Sequence, residues 1–238
     1  MVRVPPGGPA AVTIMDRRNG NERTVTVAPF EISSTVVTVE DWNAVAGEPA
    51  KTPGRGRLPM VEVSWREAVE FCNAASRRSG LTPTYTVEVL EIDLPGGWAP
   101  HDRPAPDDWS VTWDDSADGY RLPTEAEWQL ACRAGTSGPH YGPLEAIAWY
   151  ADNSGPRLRG VAGKAPNAWG LFDTLGGVWE WCWDLYDPGV YGSYRVIRGG
   201  GWADPAWSCR AGVRRTTQPT ARLDDLGFRL ARSVRPGP

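Results

Sequence analysis

Hydrophobic residues recur at helical spacing in three parts of the chain, and each part opens with a pair of residues able to cap a helix. In each pair a hydroxyl residue stands three positions before a carboxylate, so the two side chains can satisfy free backbone N–H groups reciprocally. The pairs are Thr38 with Asp41, Ser64 with Glu67, and Thr124 with Glu127. The pattern predicts helices that end at Gly47 and Gly80. It predicts a third helix that turns Trp128 and Ala131 inward, and none beyond Gly135.

Alternation of apolar and polar residues predicts strands between residues 2 and 37, and again at Tyr85–Val89 and 111–113, around a proline-rich insertion at about 90–110. A strand at 179–184 would place three tryptophans on one face and Glu180, Cys182 and Asp184 on the other. Two interpretations are open: a polar line in a cleft, or a buried strand whose carboxylates pair with arginines. We favour the second, because buried carboxylates are costly unless they are paired.

Composition narrows the fold class. The 238 residues include 13 Trp, 27 Gly and 22 Pro, which indicates loop-rich structure packed by large aromatic rings. Helices come early and short strands late, so the chain is predicted to be an α+β protein with one domain spanning residues 1–238. The cationic residues are nearly all arginine, which is typical of internal ion pairs with carboxylates.

Charge and hydropathy exclude several classes of partner. A formal net charge of −4 provides no basic field for nucleic acid. No apolar stretch approaches the roughly 20 residues of a membrane span, and the first residues contain no apolar leader. We therefore expect a cytoplasmic protein without nucleic-acid or membrane partners.

Four stretches of the chain carry motifs rich in tryptophan, glycine and arginine. They are 61–65 (VEVSW) leading into 71–73 (FCN); 119–128 (GYRLPTEAEW); 167–173 (NAWGLFD) followed by 178–182 (VWEWC); and 198–202 (RGGGW) continuing through 209–211 (CRA) to 227–230 (GFRL). All four, in this order over nearly the whole chain, resemble the formylglycine-generating (sulfatase-modifying factor) family. The resemblance implies a C-type-lectin-like fold: a twisted mixed sheet, two main helices and long ordered loops.

The resemblance also shows what the chain lacks. Established members oxidise a sulfatase cysteine to formylglycine with oxygen and a copper ion, held by two thiolates in the loop after a Gly-Gly-Ser-Trp-like strand. The corresponding loop here, 203–208, reads Ala-Asp-Pro-Ala-Trp-Ser. Copper is therefore not expected, and no catalytic residue is assigned.

Two cysteines remain as weak redox or metal candidates. Cys182 and Cys209 fall where non-catalytic relatives often carry cysteines, which implies that they are neighbours in the fold. They are expected to form a disulfide or two buried thiols, and reduced thiols are favoured in the cytoplasm. A redox or metal-binding pair is the weaker alternative.

Calcium is a further candidate, because relatives bind it through Asn and Asp oxygens near the Trp-Glu-Trp motif, where a Gly-Asn pair is usual. Here the pair is Gly176-Gly177, so that asparagine ligand is missing. Asn153 and Glu180 remain as oxygen donors for a structural calcium. The two histidines, His101 and His140, show no spacing that supports the iron site of the family's oxygenases.

Two classes of function are compatible with these features. The favoured one is a recognition module that binds a protein, peptide or small-molecule ligand through the segment that variable proteins of phage and bacteria diversify. Its candidate residues are Trp202, Asp204, Trp207, Arg210, Arg214, Arg215, Thr217 and Arg222. Of these, Trp202, Arg210 and Arg214 are more readily interpreted as braces of the fold. The alternative is a divergent oxidoreductase with a non-standard metal site, acting on a peptide or small molecule. Authentic formylglycine generation is least favoured.

Overall fold

The computed structural model describes residues 1–16, 20–47, 55–89 and 109–234, so most of the expected insertion lies outside the described residues. The strands are β1 (Val2–Val4), β2 (Ala10–Asp16), β3 (Asn21–Val27), β4 (Phe30–Ile32), β5 (Tyr85–Val89), β6 (Trp109–Trp113), β7 (Tyr120–Arg121), β8 (Trp179–Leu185), β9 (Arg195–Arg198), β10 (Arg214–Thr217), β11 (Leu226–Gly227) and β12 (Ala231–Ser233). The α-helices are α1 (Val39–Ala46), α2 (Trp65–Arg78), α3 (Glu125–Arg133), α4 (Leu144–Ile147), α5 (Ala151–Ser154) and α6 (Pro188–Tyr191). None of these helices has the length and hydropathy needed to cross a membrane.

The three helices predicted from capping pairs are present. Thr38, Ser64 and Thr124 each form the reciprocal capping box with the carboxylate three residues later. α1 stops at Gly47, which adopts a left-handed conformation, and α2 stops at Ser79, one residue before the expected glycine. In α3 the inward-facing Trp128 and Ala131 are each 1% exposed.

The prediction that no helix follows Gly135 was wrong. α4, α5 and α6 have four residues each, and a 3-10 turn covers Ala206–Ser208. A single turn contains too few residues to show a repeating hydrophobic spacing, so periodicity cannot detect it. These turns shape the loops of the second half of the chain.

Two four-stranded sheets carry the core, in the orders β1-β4-β12-β7 and β10-β9-β8-β11. β2 pairs with β3, and β5 pairs with β6, as antiparallel hairpins. β11 runs parallel to β8, while β9 and β10 are antiparallel, so the second sheet is mixed. With α2 and α3 as the main helices, the α+β class and the mixed sheet are confirmed.

The alternation predicted for β8 is also confirmed. Its three tryptophans pack into one core cluster against α2, β5, β6 and the segment around Phe228. Cys182, on the opposite face, packs into another cluster with Trp128 of α3 and Val196 of β9. β8 therefore contributes side chains to two core clusters, one on each of its faces.

Candidate functional site

A row of charged side chains crosses the second sheet on the face covered by α3. The strand register places Glu180, Arg198 and Arg214 side by side on β8, β9 and β10. Glu125 of α3 accepts hydrogen bonds from Arg198 at 2.9 Å and from Arg214 at 2.8 and 2.9 Å. Burial favours a higher pKa for Glu125, but Arg198 and Arg214 hold that pKa below its usual value. The internal ion pairing expected of an arginine-rich chain is present here.

The carboxylates of β8 have structural partners. Glu180 is fully buried, and Arg229 donates to it at 2.6 and 2.7 Å while the indole of Trp128 donates at 2.9 Å. Asp184 accepts the backbone N–H of Glu125 at 2.6 Å. The favoured interpretation of this strand, buried indoles with carboxylates paired to arginine, is confirmed.

The two calcium candidates have protein partners of their own. The side chain of Asn153 accepts from the backbone N–H of Tyr150 and donates to the carbonyl of Ala148, both at 3.0 Å. Glu180 is engaged by Arg229, and no described contact joins it to Asn153. Across the described ranges, no group of three or more His, Cys, Asp or Glu residues is arranged to hold a metal ion. Glycine at 176 is explained by packing, because a Cβ there would lie 2.3 Å from a backbone oxygen.

Cys182 and Cys209 lie in one core cluster as free, buried thiols. The disulfide, one of the two expected forms, is not formed. Burial raises the pKa of Cys209 to about 12 and raises the pKa of Cys182 well above its ordinary value. Since the thiolate is the form that attacks disulfides and binds metals, the raised pKa values disfavour redox or metal chemistry of these two side chains at neutral pH.

Asp204 organises the loop that follows β9. One carboxylate oxygen accepts from the indole of Trp179 at 2.6 Å and from the backbone N–H of Gly201 at 2.9 Å. The other accepts from the hydroxyl of Ser208 at 3.3 Å. This aspartate therefore shapes the loop from inside, where the resemblance predicted a ligand-binding side chain.

Trp207 and Arg215 form the outer part of this region. Trp207 is 50% exposed, on a surface where most large rings are covered. The guanidinium carbon of Arg215 lies 5.2 Å from the Trp207 ring centre and 4.9 Å from that of Trp179, so two indoles hold the arginine between them. Arg215 also lies 3.6 Å from Asp204. We call Trp207, Arg215 and Asp204 the tryptophan–arginine surface.

The other predicted ligand residues differ in their surroundings. Trp202 is half-buried, and its carbonyl accepts the Ser154 hydroxyl at 2.8 Å. Arg222 pairs with Glu67 of α2 at 2.7 Å. Arg210 is exposed and Thr217 is half-buried on β10. Arg214, whose side chain is 8% exposed, is bound to Glu125, which agrees with its interpretation as a brace of the fold.

Sequence reasoning missed a cleft beside Trp202. Its volume is about 630 Å³, and its charged lining residues are Arg55, Glu62, Arg157, Arg159 and Asp224. These residues come from three separate loops, so no local spacing could predict that they meet. Glu62 does have a backbone φ of 57°, a left-handed conformation that is uncommon outside glycine, but the amino-acid sequence does not reveal it.

The geometry of the sheet, the paired helices and the loop after β9 can be compared with known families. Residues 1–234 match the family model described as the sulfatase-modifying factor enzyme 1-like domain. The chain belongs to this family. The resemblance stated from the four motifs is thereby confirmed across nearly the whole length.

Curated relatives of the sulfatase-modifying factor domain include proteins with different roles. "Chaperone protein LppX" of Paenibacillus barcinonensis is 28% identical over 240 residues, covering 90% of this chain and 83% of that protein. The formylglycine-generating enzyme of Streptomyces coelicolor is 31% identical, covering 80% of this chain but 57% of the enzyme. Hercynine oxygenase of Mycolicibacterium thermoresistibile is 29% identical over 77% of this chain and 52% of the oxygenase. The chain thus spans little more than half the length of the two enzymes.

Solved structures of the same fold extend the comparison. "Treponema denticola variable protein 1" superposes with a TM-score of 0.83 at 35% identity, over 98% of this chain and 95% of that one. CarF superposes with a TM-score of 0.72 at 28% identity, over 98% of both chains. The expected C-type-lectin-like fold is confirmed by these neighbours.

Proposed function

We propose that the chain is one recognition domain of the sulfatase-modifying factor family, which binds a protein partner through the tryptophan–arginine surface. The observation that carries the proposal is the half-exposed Trp207 stacked on Arg215. Tryptophan and arginine are the side chains most enriched among residues that dominate binding energy at protein interfaces. Here both are held in place before any partner arrives, which reduces the entropy lost on binding.

The loop chemistry supports recognition over the family's oxidation reaction. The segment 203–208 contains no cysteine, and Asp204 within it is held by Trp179, Gly201 and Ser208. The nearest cysteine along the chain, Cys209, is fully buried with a raised pKa. These side chains build a rigid loop and offer no soft ligand for copper.

Two relatives support a protein partner. One is named a chaperone protein and shares 83% of its length with this chain, and the other is a variable protein of which 95% superposes. Both are comparable in extent to this chain, whereas the chain covers only 57% and 52% of the two enzymes. The matched region therefore corresponds to nearly the whole of each of these two relatives.

The test measures partner binding by the wild-type protein and by Trp207→Ala and Arg215→Ala variants. A partner would be captured by photo-crosslinking from residue 206, then purified and titrated calorimetrically. Each substitution should weaken binding by at least about 2 kcal/mol, roughly 30-fold, because each removes an anchor. Val190→Ala is the matched control, since Val190 is a more exposed hydrophobic residue on α6, at 62%.

Two results would contradict the proposal. One is unchanged affinity of both anchor variants for the captured partner. The other is aldehyde formation on a thiol-bearing sulfatase peptide with oxygen consumption in the presence of copper.

A further inference from the structure

The cleft beside Trp202 separates opposite charges. Arg157 and Arg159 belong to the loop 155–160. Arg55 lies near them because Arg57 is held at the end of this loop: its carbonyl accepts the Val161 N–H, and its guanidinium donates to the Val161 carbonyl, both at 2.9 Å. These three arginines form what we call the arginine side. All three line one cavity with a volume of about 630 Å³, within the range of small-molecule sites.

The acidic side is formed by Glu62 and Asp224. These residues are brought together by the backbone bond from Glu62 N–H to the Leu223 carbonyl, at 2.9 Å. Trp202 lies between the two sides. Its carbonyl accepts from Ser154, near the arginine side, and its indole N–H approaches the backbone carbonyl of Asp224 at 3.5 Å.

None of the five charged side chains forms an ion pair within the part of the chain that the structure describes. Arginines and carboxylates lining one cavity would normally pair if the side chains could reach each other. Because none of the five is paired within the described residues, both charges remain available to a ligand. Elsewhere in the molecule the carboxylates Glu125, Glu127 and Glu180 are all paired with arginine.

Two residues of the cleft, Arg159 and Glu62, have distinctive local geometry. Arg159 donates from Nε to the Ser154 carbonyl at 2.6 Å and stacks on Trp149. Glu62 has a left-handed backbone, with φ of 57°, a conformation that is uncommon in a residue other than glycine.

We propose that this cleft binds a zwitterionic ligand, a free amino acid or a short peptide. Its carboxylate would meet the arginine side, and its ammonium group would meet Glu62 and Asp224. A dipolar ligand satisfies both sides at once, whereas a simple anion or cation leaves one side without a counter-charge. The apolar side chains of Leu58, Val61 and Leu158 line the same cavity and would contact the ligand's hydrocarbon part. The proposal is independent of protein binding at the tryptophan–arginine surface.

The test uses tri-alanine, its N-acetylated form, its C-terminal amide and free alanine, each titrated calorimetrically into the whole protein. Tri-alanine or alanine should bind saturably, and which of the two binds more tightly distinguishes a peptide from an amino acid. Blocking either terminus should weaken binding by about tenfold or more, because each block removes a charge-assisted interaction.

Matched variants assign each end of the ligand to one side of the cleft. Glu62→Gln should weaken tri-alanine binding by about tenfold and leave the already weak binding of the N-acetylated peptide unchanged. Arg157→Gln should weaken tri-alanine binding by a similar factor and leave the already weak binding of the C-terminal amide unchanged. Arg77→Gln, an exposed arginine at the end of α2, is the control and should bind as the wild type does. Absence of binding to alanine and tri-alanine, equal binding of the blocked peptides, or no effect of Glu62→Gln and Arg157→Gln would overturn the proposal.

Discussion

Asp225 shows how one residue near the recognition loop couples stability to pH. Its carboxylate lies so close to Gly201 that a Cβ at that glycine would be 2.3 Å from the Asp225 oxygen. Burial, followed by the negative charges of Asp204 and Asp224, raises the pKa of Asp225 to about 6. Its ionised form is therefore disfavoured in the folded protein.

We predict that Asp225→Asn stabilises the protein at neutral pH and not in acid. In the wild type the unfolded chain loses this proton near its ordinary pKa, while the folded chain keeps it up to about pH 6. The contribution of Asp225 to the free energy of unfolding is therefore lost as pH rises from about 4 to above 6. Urea unfolding at pH 7.5 and pH 4.5 should show the variant more stable only at the higher value. A larger gain at pH 4.5 would contradict the raised pKa.

The residues of the tryptophan–arginine surface were predictable in part. Trp207, Arg215 and Asp204 were named from their place in the family's variable segment, and the structure brings them together. Glu62, Arg157 and Asp224 were not named as site residues, because their proximity depends on three loops whose packing leaves no periodic pattern. Arg214 was named with these candidates but was more readily interpreted as a brace of the fold, and alternation along β10 turns it towards Glu125.

At the scale of elements, local chemistry explains what the sequence could predict. A capping box needs only two residues three apart, so α1, α2 and α3 could each be recognised from their first turns. The strands β5 and β6 were also predicted, although β6 begins at Trp109, two residues before the predicted start, and their pairing as a hairpin was not predicted. Sheet order could not be predicted from local patterns, because β12 pairs with β4 and β7 across long stretches of chain.

We predict that Ser64→Ala destabilises the protein by about 1 kcal/mol. The Ser64 hydroxyl accepts the N–H of Glu67 at 3.3 Å and donates to its carboxylate at 2.8 Å. The substitution removes both of these bonds and leaves only the bond from the backbone N–H of residue 64 to that carboxylate, at 2.9 Å. The first turn of α2 contains Trp65, which is fully buried, and the loss should therefore appear in global unfolding by urea. Ser79→Ala, at the exposed end of the same helix, is the control and should change stability by less than about 0.5 kcal/mol.

At the scale of the whole molecule, Arg229 connects parts of the chain that are distant in sequence. It donates to the carbonyls of Ser33 and Phe172, both at 3.1 Å, and to both carboxylate oxygens of Glu180. Ser33 follows β4 of the first sheet, and Glu180 lies in β8 of the second. The two sheets have no strand in common. Arg229 therefore connects them through its bond to the Ser33 carbonyl and its ion pair with Glu180.

We predict that Glu180→Gln destabilises the protein by about 3–5 kcal/mol, because it leaves the guanidinium of Arg229 buried without its counter-charge. The melting temperature should fall by on the order of 10 °C in a chain of this length. Glu70→Gln removes an exposed pair with Arg66, at 2.9 Å within α2, and should cost about 0.5 kcal/mol or less. If both substitutions cost the same, the buried pair does not hold the sheets together. The expected result is that Glu180→Gln alone lowers stability and that unfolding remains a single transition. Because the lost contact connects both sheets, this result would indicate that the two sheets unfold as one unit.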